Sequence, residues 1–245
     1  MNTIHFNIDH WIALAPGLTT LDDWQTWANN SQLIDPQPPA ADKIPPMMRR
    51  RMSPLSKLAL QAAITITETN NIDYIVFASR HGELHRTVNL IKDIINGDDA
   101  SPIAFSQSVH NTAAGLYTIA THQPIAVTSL AGGENTLHMA LIETGCYLSQ
   151  HPHHRVLIVD FDQPLPNEYQ HFEQHQYPSF ALAMVISYGD NNQLCWQSTP
   201  QVARERHHSV DCYPQTLTVI KHLANKDSQW SIHSQTQQWQ WQHQS

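Results

Sequence analysis

One stretch decides the fold: Ile125-Ala126-Val127-Thr128-Ser129-Leu130-Ala131-Gly132-Gly133-Glu134-Asn135-Thr136. Its apolar and β-branched first half, the small residues that follow and the long helical pattern over 134–149 predict a buried strand, a tight elbow and a helix. An elbow of this kind can expose a nucleophile, and the helix N-terminus then offers amide donors to an oxyanion. Here the elbow holds no thiol, and the nearby hydroxyls of Thr128 and Ser129 are still on the strand.

The composition excludes several classes of protein. The 245 residues carry 13 Lys and Arg against 21 Asp and Glu, a net charge of −8, which argues against a nucleic-acid binder. No apolar run approaches the roughly 20 residues of a membrane span, and the N-terminus lacks the pattern of a signal peptide. Three scattered cysteines, Cys146, Cys195 and Cys212, do not form a disulfide framework. We therefore expect a cytoplasmic globular protein without a membrane span.

Strands and helices alternate along the chain. This order predicts right-handed crossovers and a layered α/β domain. Residues 88, 91, 94 and 95 are expected on one face of a helix, and 101–111 and the proline-rich 35–46 are expected to be loops. The predicted strands are 4–14, 73–78, 125–129, 155–161, 180–188, an edge strand at 193–197 and one or two strands in 230–242; the predicted helices are 21–28, 54–68, 84–96, 112–120, 134–149 and 214–224.

A family resemblance enters at two segments. They are Phe105-Ser106-Gln107-Ser108-Val109-His110-Asn111-Thr112-Ala113-Ala114-Gly115 and Pro124 to Glu134. Together with the order of elements over residues 50–188, these segments resemble the N-terminal half of a β-ketoacyl synthase. The resemblance implies half of a thiolase-like α/β fold, with a mixed sheet and a central buried helix. We expect a synthase-like domain over 1–189 and a C-terminal extension over 190–245 packed on it.

Two departures from the family pattern bear on function. Aligning Thr128-Ser129-Leu130-Ala131 on the family motif puts Ala131 at the position of the cysteine nucleophile, and alanine cannot form a thioester. The histidines and lysine of the family lie in a second half, so none of the 17 histidines here can be given those roles. The resemblance therefore implies a non-catalytic chain length factor without cofactor, of the aryl polyene type within type II polyketide or fatty-acid-like pathways.

The same resemblance implies partners. Family members dimerise through the strand before the nucleophile, so we expect a heterodimer with a full-length ketosynthase through Ile125, Ala126, Val127, Thr128 and Ser129. An acyl carrier protein would bind transiently at Arg49, Arg50 and Arg51, although a charge run of this kind is more often solvated or paired at an interface. The candidates for the interface or the wall of the partner's acyl tunnel are Phe105, His110, Asn111, Leu130, Gly133 and Glu134.

Simpler or rival interpretations of several residues stay open. Ser129 with His110 as base would make the chain a serine acyltransferase or hydrolase. A third possibility is a homodimeric scaffold that binds carrier protein. His151-Pro152-His153-His154 has metal-like content without a matching ligand set, so no metal site is expected. Asn111 is expected to hydrogen-bond local backbone, Glu134 to complement the helix dipole, and Cys146 to be buried.

Overall fold

The fold is a single mixed sheet with helices on both faces. The computed structural model describes residues 1–30, 37–173, 176–199 and 213–244. Within these ranges seven strands share one sheet. They are β1 (Asn2–Leu14), β2 (Tyr74–Ala78), β3 (Ala126–Leu130), β4 (Arg155–Asp162), β5 (Phe180–Ser198), β6 (Gln229–His233) and β7 (Gln237–His243).

The helices connect the strands in the predicted order. They are α1 (Leu21–Asn30), α2 (Pro46–Arg49), α3 (Pro54–Thr67), α4 (Leu84–Ile95), α5 (Pro102–Ser106), α6 (Thr112–Thr121), α7 (Thr136–Gln150) and α8 (Gln215–Asn225), with 3₁₀ turns at Gly133–Asn135 and Asn167–Phe172. Ser53 caps α3, because its Oγ accepts a hydrogen bond from the Ser56 amide and Pro54 occupies the first helical position. In the described part of the chain no helix is long and apolar enough to cross a membrane.

The sheet has one parallel end and one antiparallel end. Its order is β3-β2-β4-β5-β7-β6, with β1 paired to β5 as well. Strands β3, β2 and β4 run parallel, and all other pairings are antiparallel. This arrangement confirms the predicted mixed sheet, and it leaves β3 at an edge.

Alternation along the strands divides the core between the two faces of the sheet. On β4, Val156 and Ile158 join the core that α1, α7 and α8 cover, whereas Leu157, Val159 and Phe161 join the core under α3 and α6. The even-numbered positions of β4 therefore face the central helix α7.

Strand β5 differs from its prediction. It continues through Gly189, so residues 193–197 are the second half of a 19-residue strand rather than a separate edge strand. Residues 180–187 pair with β4, residues 192–198 pair with β7, and β1 pairs with both parts. Between these two parts the pairing with β1 shifts register, from Phe6 opposite Asn192 to Asn7 opposite Ser187. Gly189 lies in this interval and packs so closely on Asn7 that a Cβ would overlap its side chain. The strand thus runs across the predicted boundary between residues 189 and 190.

Two local predictions were also wrong. The segment 101–111 contains the short helix α5 instead of being entirely loop. Cys146 is exposed rather than buried. On the predicted helix α4, Val88 is buried, whereas Ile91, Ile94 and Ile95 are exposed. Residues 35 and 36 of the predicted 35–46 loop lie outside the described residues.

Candidate functional site

The elbow after β3 is a compact turn whose own groups pair with each other. Leu130 ends the strand, Ala131 is exposed, and Gly133 has a φ of +62°. The Gly132 amide donates to Thr136 Oγ1 at 3.0 Å, and that hydroxyl donates to the Gly133 carbonyl at 2.7 Å. A Cβ at Gly132 would come within 2.7 Å of Met139, so glycine is needed there for close packing. Leu130 and Ala131 bring no nucleophilic atom to the turn.

The C-terminal part of the chain covers the elbow. Asn135 Oδ1 accepts hydrogen bonds from Gln215 Nε2 at 3.0 Å and Trp239 Nε1 at 2.8 Å, and its Nδ2 donates to Thr236 Oγ1. Glu134 lies in the 3₁₀ turn just before α7. Its Oε1 accepts a hydrogen bond from the Gln235 amide at 2.8 Å and so holds the β6–β7 turn. Residues from α8, the β6–β7 turn and β7 therefore meet at the start of the central helix.

His138 lies one turn further along α7 and is fully buried. Its ring stacks on Trp239 with 4.4 Å between centroids, and its Nε2 accepts a hydrogen bond from Trp241 Nε1 at 3.0 Å. Burial lowers the pKa of His138 to about 3. The ring is thus neutral at pH 7 and packs as part of the core.

Two buried carboxyl groups lie beside the elbow, at the end of β4. Asp160 Oδ1 accepts a hydrogen bond from Thr216 Oγ1 at 2.7 Å, which fixes the start of α8 on the sheet. Asp162 accepts from Ser79 Oγ and from the amides of Arg80 and His81, which fixes the loop after β2. Burial raises the pKa of Asp162 to about 6. Burial and the neighbouring Asp162 raise the pKa of Asp160 well above its usual value.

Small cavities separate this acid pair from the elbow. One has a volume of about 40 Å³ and is lined by both aspartates and by Gly133 and Glu134. An adjoining recess of about 280 Å³ lies between Arg80, the elbow and the β6–β7 turn. The Oδ2 atom of Asp160 has no hydrogen-bond partner among the described residues. The first cavity has room for water molecules and none for an acyl chain.

The opposite side of the elbow is open. Among the described residues β3 pairs only with β2, so its outer backbone groups are unpaired. Helices α4 to α6 and the link between α5 and α6 expose large apolar side chains. Helix α6 packs against β3, and α4 packs against α5. We call these side chains the α4–α6 surface: Ile91, Ile94, Ile95, Ile103, Phe105, Val109 and Ile119.

The predicted tunnel residues are divided between this surface, the loop before α6 and the elbow. Phe105 is 63% exposed on α5. His110 Nε2 hydrogen-bonds the Ser79 carbonyl at 2.8 Å, and the Ser79 amide donates to the Leu130 carbonyl at 3.1 Å. Ser79 therefore brings His110 and Leu130 together. Asn111 is exposed at the start of α6 and makes no capping hydrogen bond with its side chain, so its predicted local role was wrong.

The arginine segment lies around α2, before α3. Arg49 ends this helix and donates to the Ala41 carbonyl at 2.9 Å, whereas Arg50 and Arg51 are exposed. The Arg51 carbonyl accepts a hydrogen bond from Arg86 Nη2 at 2.8 Å. The segment is thus tied to α4, and two of its three guanidinium groups are exposed.

The histidine-rich segment after α7 packs as aromatic rings. His151 and His154 stack with 4.9 Å between centroids, and His154 Nδ1 hydrogen-bonds Tyr147 Oη at 2.9 Å. In residues 1–30, 37–173, 176–199 and 213–244 no group of three or more histidine, cysteine or acidic side chains is arranged to hold a metal ion.

The sequence analysis did not identify the buried pair Asp160 and Asp162, the buried His138, or the C-terminal residues that cover the elbow. Asp160 and Asp162 alternate on an otherwise apolar strand, and this spacing alone would place both on one face. His138 follows Leu137 and precedes Ala140 and Leu141 on the buried side of α7. Nothing in the local pattern of Asn135 indicates partners 80 and 104 residues away, because those contacts depend on the sheet order.

Comparisons with known proteins match the chain at the level of family and fold. The family model described as "Beta-ketoacyl synthase, N-terminal domain" matches residues 24–242. A search of curated protein sequences gives no match.

Solved structures give a fuller likeness. One chain of the complex between the ketosynthase ApeO and its chain length factor ApeC from Xenorhabdus doucetiae is 27% identical, with a TM-score of 0.84 over 98% of this chain and 100% of that chain. The ishigamide ketosynthase/chain length factor has 11% identity and a TM-score of 0.72, with both chains covered completely. A ketosynthase from module 6 of the Bacillus subtilis bacillaene synthase has a TM-score of 0.53 at 10% identity, and only 41% of that chain is covered.

Proposed function

Because the chain belongs to the β-ketoacyl synthase N-terminal domain family, we propose that it is a chain length factor that binds a full-length ketosynthase. In this proposal the ketosynthase carries the cysteine and histidines of condensation, and this chain forms half of the interface. The complex between a ketosynthase and its chain length factor, with a 27% identical chain covered over its whole length, supports this assignment.

The observation that carries the proposal is the unfinished β3 edge beside the α4–α6 surface. An edge strand with free amides and carbonyls is a template for pairing with a second chain, and isolated proteins usually protect such edges. Large exposed apolar side chains on three neighbouring helices are typical of an interaction surface. In this proposal the ketosynthase adds its own strand to residues 126–130 and also packs on the exposed side chains of α4 and α5, which include Ile94, Ile95 and Phe105.

The elbow supports a non-catalytic role for this chain. It holds no cysteine at Leu130 or Ala131 and therefore no group that could form a thioester. The helix start is occupied by contacts to the C-terminal segment 190–245, which in this proposal serves as the cover of the vacant nucleophile position. His138, the nearest histidine on α7, is neutral and buried against two tryptophans.

The chain would also limit product length. Phe105 projects from an exposed helix next to the proposed interface, and Leu130 and Gly133 lie at the elbow. The side chains of Phe105 and Leu130 and the open space at Gly133 would then shape the wall of the partner's acyl tunnel. Pocket volume discriminates by roughly 1–3 kcal/mol per methylene, enough to favour one length. We assign the product to the aryl polyene type, and we assign Arg50 and Arg51 to transient contact with the acidic surface of an acyl carrier protein.

The serine alternative has no support in the geometry. His110 bonds the Ser79 carbonyl, and it shares no hydrogen bond with Ser129 in the described part of the chain. A nucleophilic serine needs a base within hydrogen-bond reach.

Co-purification tests the proposal. The chain is co-expressed with a ketosynthase that has an intact cysteine, and the mass of the complex is measured by native mass spectrometry. We expect a heterodimer that elongates malonyl carrier protein, with radiolabelled acyl groups found on the ketosynthase alone. Acyl labelling of this chain in the absence of the ketosynthase would favour the serine acyltransferase or hydrolase. A stable homodimer that does not bind the ketosynthase would favour the scaffold that binds carrier protein.

A further inference from the structure

Arg86, on the first turn of α4, connects three segments of the chain. Its Nη2 donates to the Arg51 carbonyl at 2.8 Å, and its Nη1 donates to Gln107 Oε1. Its Nε lies 3.5 Å from Glu83 Oε2 in an ion pair. One guanidinium therefore joins the arginine segment, the end of α5 and the residue before α4.

Glu83 anchors this guanidinium from the inside. Its side chain is 3% exposed, and its Oε1 accepts hydrogen bonds of 2.6 Å from both Ser53 Oγ and Ser56 Oγ at the start of α3. Its Oε2 has no hydrogen-bond partner among the described residues, so Arg86 is the charge that compensates it there. A buried carboxylate with a fixed shell of donors holds the arginine in one orientation.

Helix α5 depends on these polar contacts for its position. None of its residues is buried, and Ile103 and Phe105 are more than 60% exposed. Because packing does not fix the helix, its C-terminal end is fixed by Arg86 at Gln107 and by Thr87 Oγ1, which donates to the Ser108 carbonyl at 3.1 Å. The position of Phe105 is therefore set from α4.

We propose that Arg86 is a positioning residue that determines product length by holding α5, and with it Phe105, in one place. This inference rests on the proposed function, since it assigns the specificity of that same tunnel wall. Lysine at position 86 would keep a positive charge near Glu83, but one ammonium cannot reproduce the three-way fork of the guanidinium. Loosening α5 would let Phe105 move aside and the acyl chain grow further.

The test compares Arg86→Lys with wild type in the reconstituted complex of this chain, a full-length ketosynthase and malonyl carrier protein. We expect the heterodimer and the total malonyl consumption to be retained. The fraction of products longer than the main wild-type product should rise about tenfold. Arg155→Lys is the matched control, because Arg155 also makes an Nε ion pair, to Asp9 at 3.6 Å, at the distant start of β4.

Hydrogen exchange measures the positioning step without the partner. In the isolated chain, removal of a charge-assisted hydrogen bond should speed amide exchange over residues 102–108 about tenfold, with α3 and α6 unchanged. If Arg86→Lys itself does not fold, Glu83→Gln with Arg86→Met removes the buried charge along with its partner and serves the same comparison. Unchanged product lengths, or unchanged exchange over α5, would overturn the inference. A wild-type chain that binds no ketosynthase would overturn the proposed function, whereas the exchange result would still decide the role of Arg86.

Discussion

The two ends of the sheet are finished in different ways. At the β6–β7 end, Trp239 and Trp241 are fully buried, and Asn135 ties the hairpin to the central helix. At the β3 end, the outer backbone is unpaired and the neighbouring helices expose isoleucines. Both end strands, β3 and β6, have an unpaired outer side among the described residues, but exposed apolar helices follow β2 and lead to β3, and we assign that end to the proposed ketosynthase.

Placing charge on the α4–α6 surface gives the sharpest test of this contrast. Ile94→Glu together with Ile95→Glu puts two carboxylates where the proposed partner packs. We expect heterodimer affinity to fall about 1000-fold, or about 4 kcal/mol, because the charges would have to be desolvated. The dissociation constant is measured by interferometry, with Tyr188→Glu on β5 as an equally exposed control. Retained affinity in the double variant would mean that the partner binds elsewhere.

Removing Asn135 tests the closed end. Asn135→Ala leaves the indole N–H of Trp239 and the amide of Gln215 without their acceptor, and we expect the free energy of unfolding to drop by about 3 kcal/mol. Denaturant unfolding gives the value, and Asn29→Ala, which removes one exposed hydrogen bond to the Gln25 carbonyl, is the control. An equal effect of the two substitutions would contradict the assignment of Asn135 as the tie between the hairpin and α7.

The pH dependence of stability tests the buried Asp160, which holds the start of α8 on the sheet. Because its pKa is raised in the folded chain, the wild type loses stability as the pH rises from the unfolded value of about 3.9 through the folded value. In the Asp160→Asn variant the side chain is neutral at every pH and has an amide donor where Asp160 has an unpaired oxygen. The free energy of unfolding of this variant should therefore be about 2 kcal/mol higher than that of the wild type at pH 8. Near pH 4 the two should differ little.

Thermal unfolding at both pH values measures the difference for Asp160. The exposed substitution Asp98→Asn, which should change the stability little at either pH, is the reference. A variant that is less stable than wild type at pH 8 would contradict the assignment.

The smallest effect is expected at the turn that covers the elbow. Glu134→Ala removes the acceptor for the Gln235 amide, which is worth about 1 kcal/mol. Amide exchange at residues 234–237 should accelerate, whereas exchange in β3 should stay the same. Acceleration in β3 instead would mean that the two ends are coupled through the elbow.

The sequence predicted the helices and strands well and the tertiary contacts between them poorly. Periodicity located α3, α7 and β4 within one or two residues, because those signals are local. The separate edge strand expected at 193–197 was wrong because Gly189 continues β5 while packing closely on Asn7, a residue 182 positions earlier in the chain. The isoleucines of α4 gave a correct helical pattern, but periodicity does not reveal whether such a face is buried, and here it is exposed.

The candidate site shows the same difference between local patterns and tertiary contacts. The vacant elbow was visible because Leu130 and Ala131 are adjacent in sequence. The contacts of Arg86 were not predictable, because its three partners come from segments that only the tertiary structure brings together.

Strand β5 has a mechanical consequence. Its 19 residues pair with β4 in the first part and with β7 of the hairpin in the second, and β1 runs alongside for most of that length. A protease cut near Gly189 would divide a shared backbone rather than release two modules, and unfolding should occur as one cooperative transition. The two parts of β5 therefore cannot be separated into independent fragments, because β1 pairs with both of them.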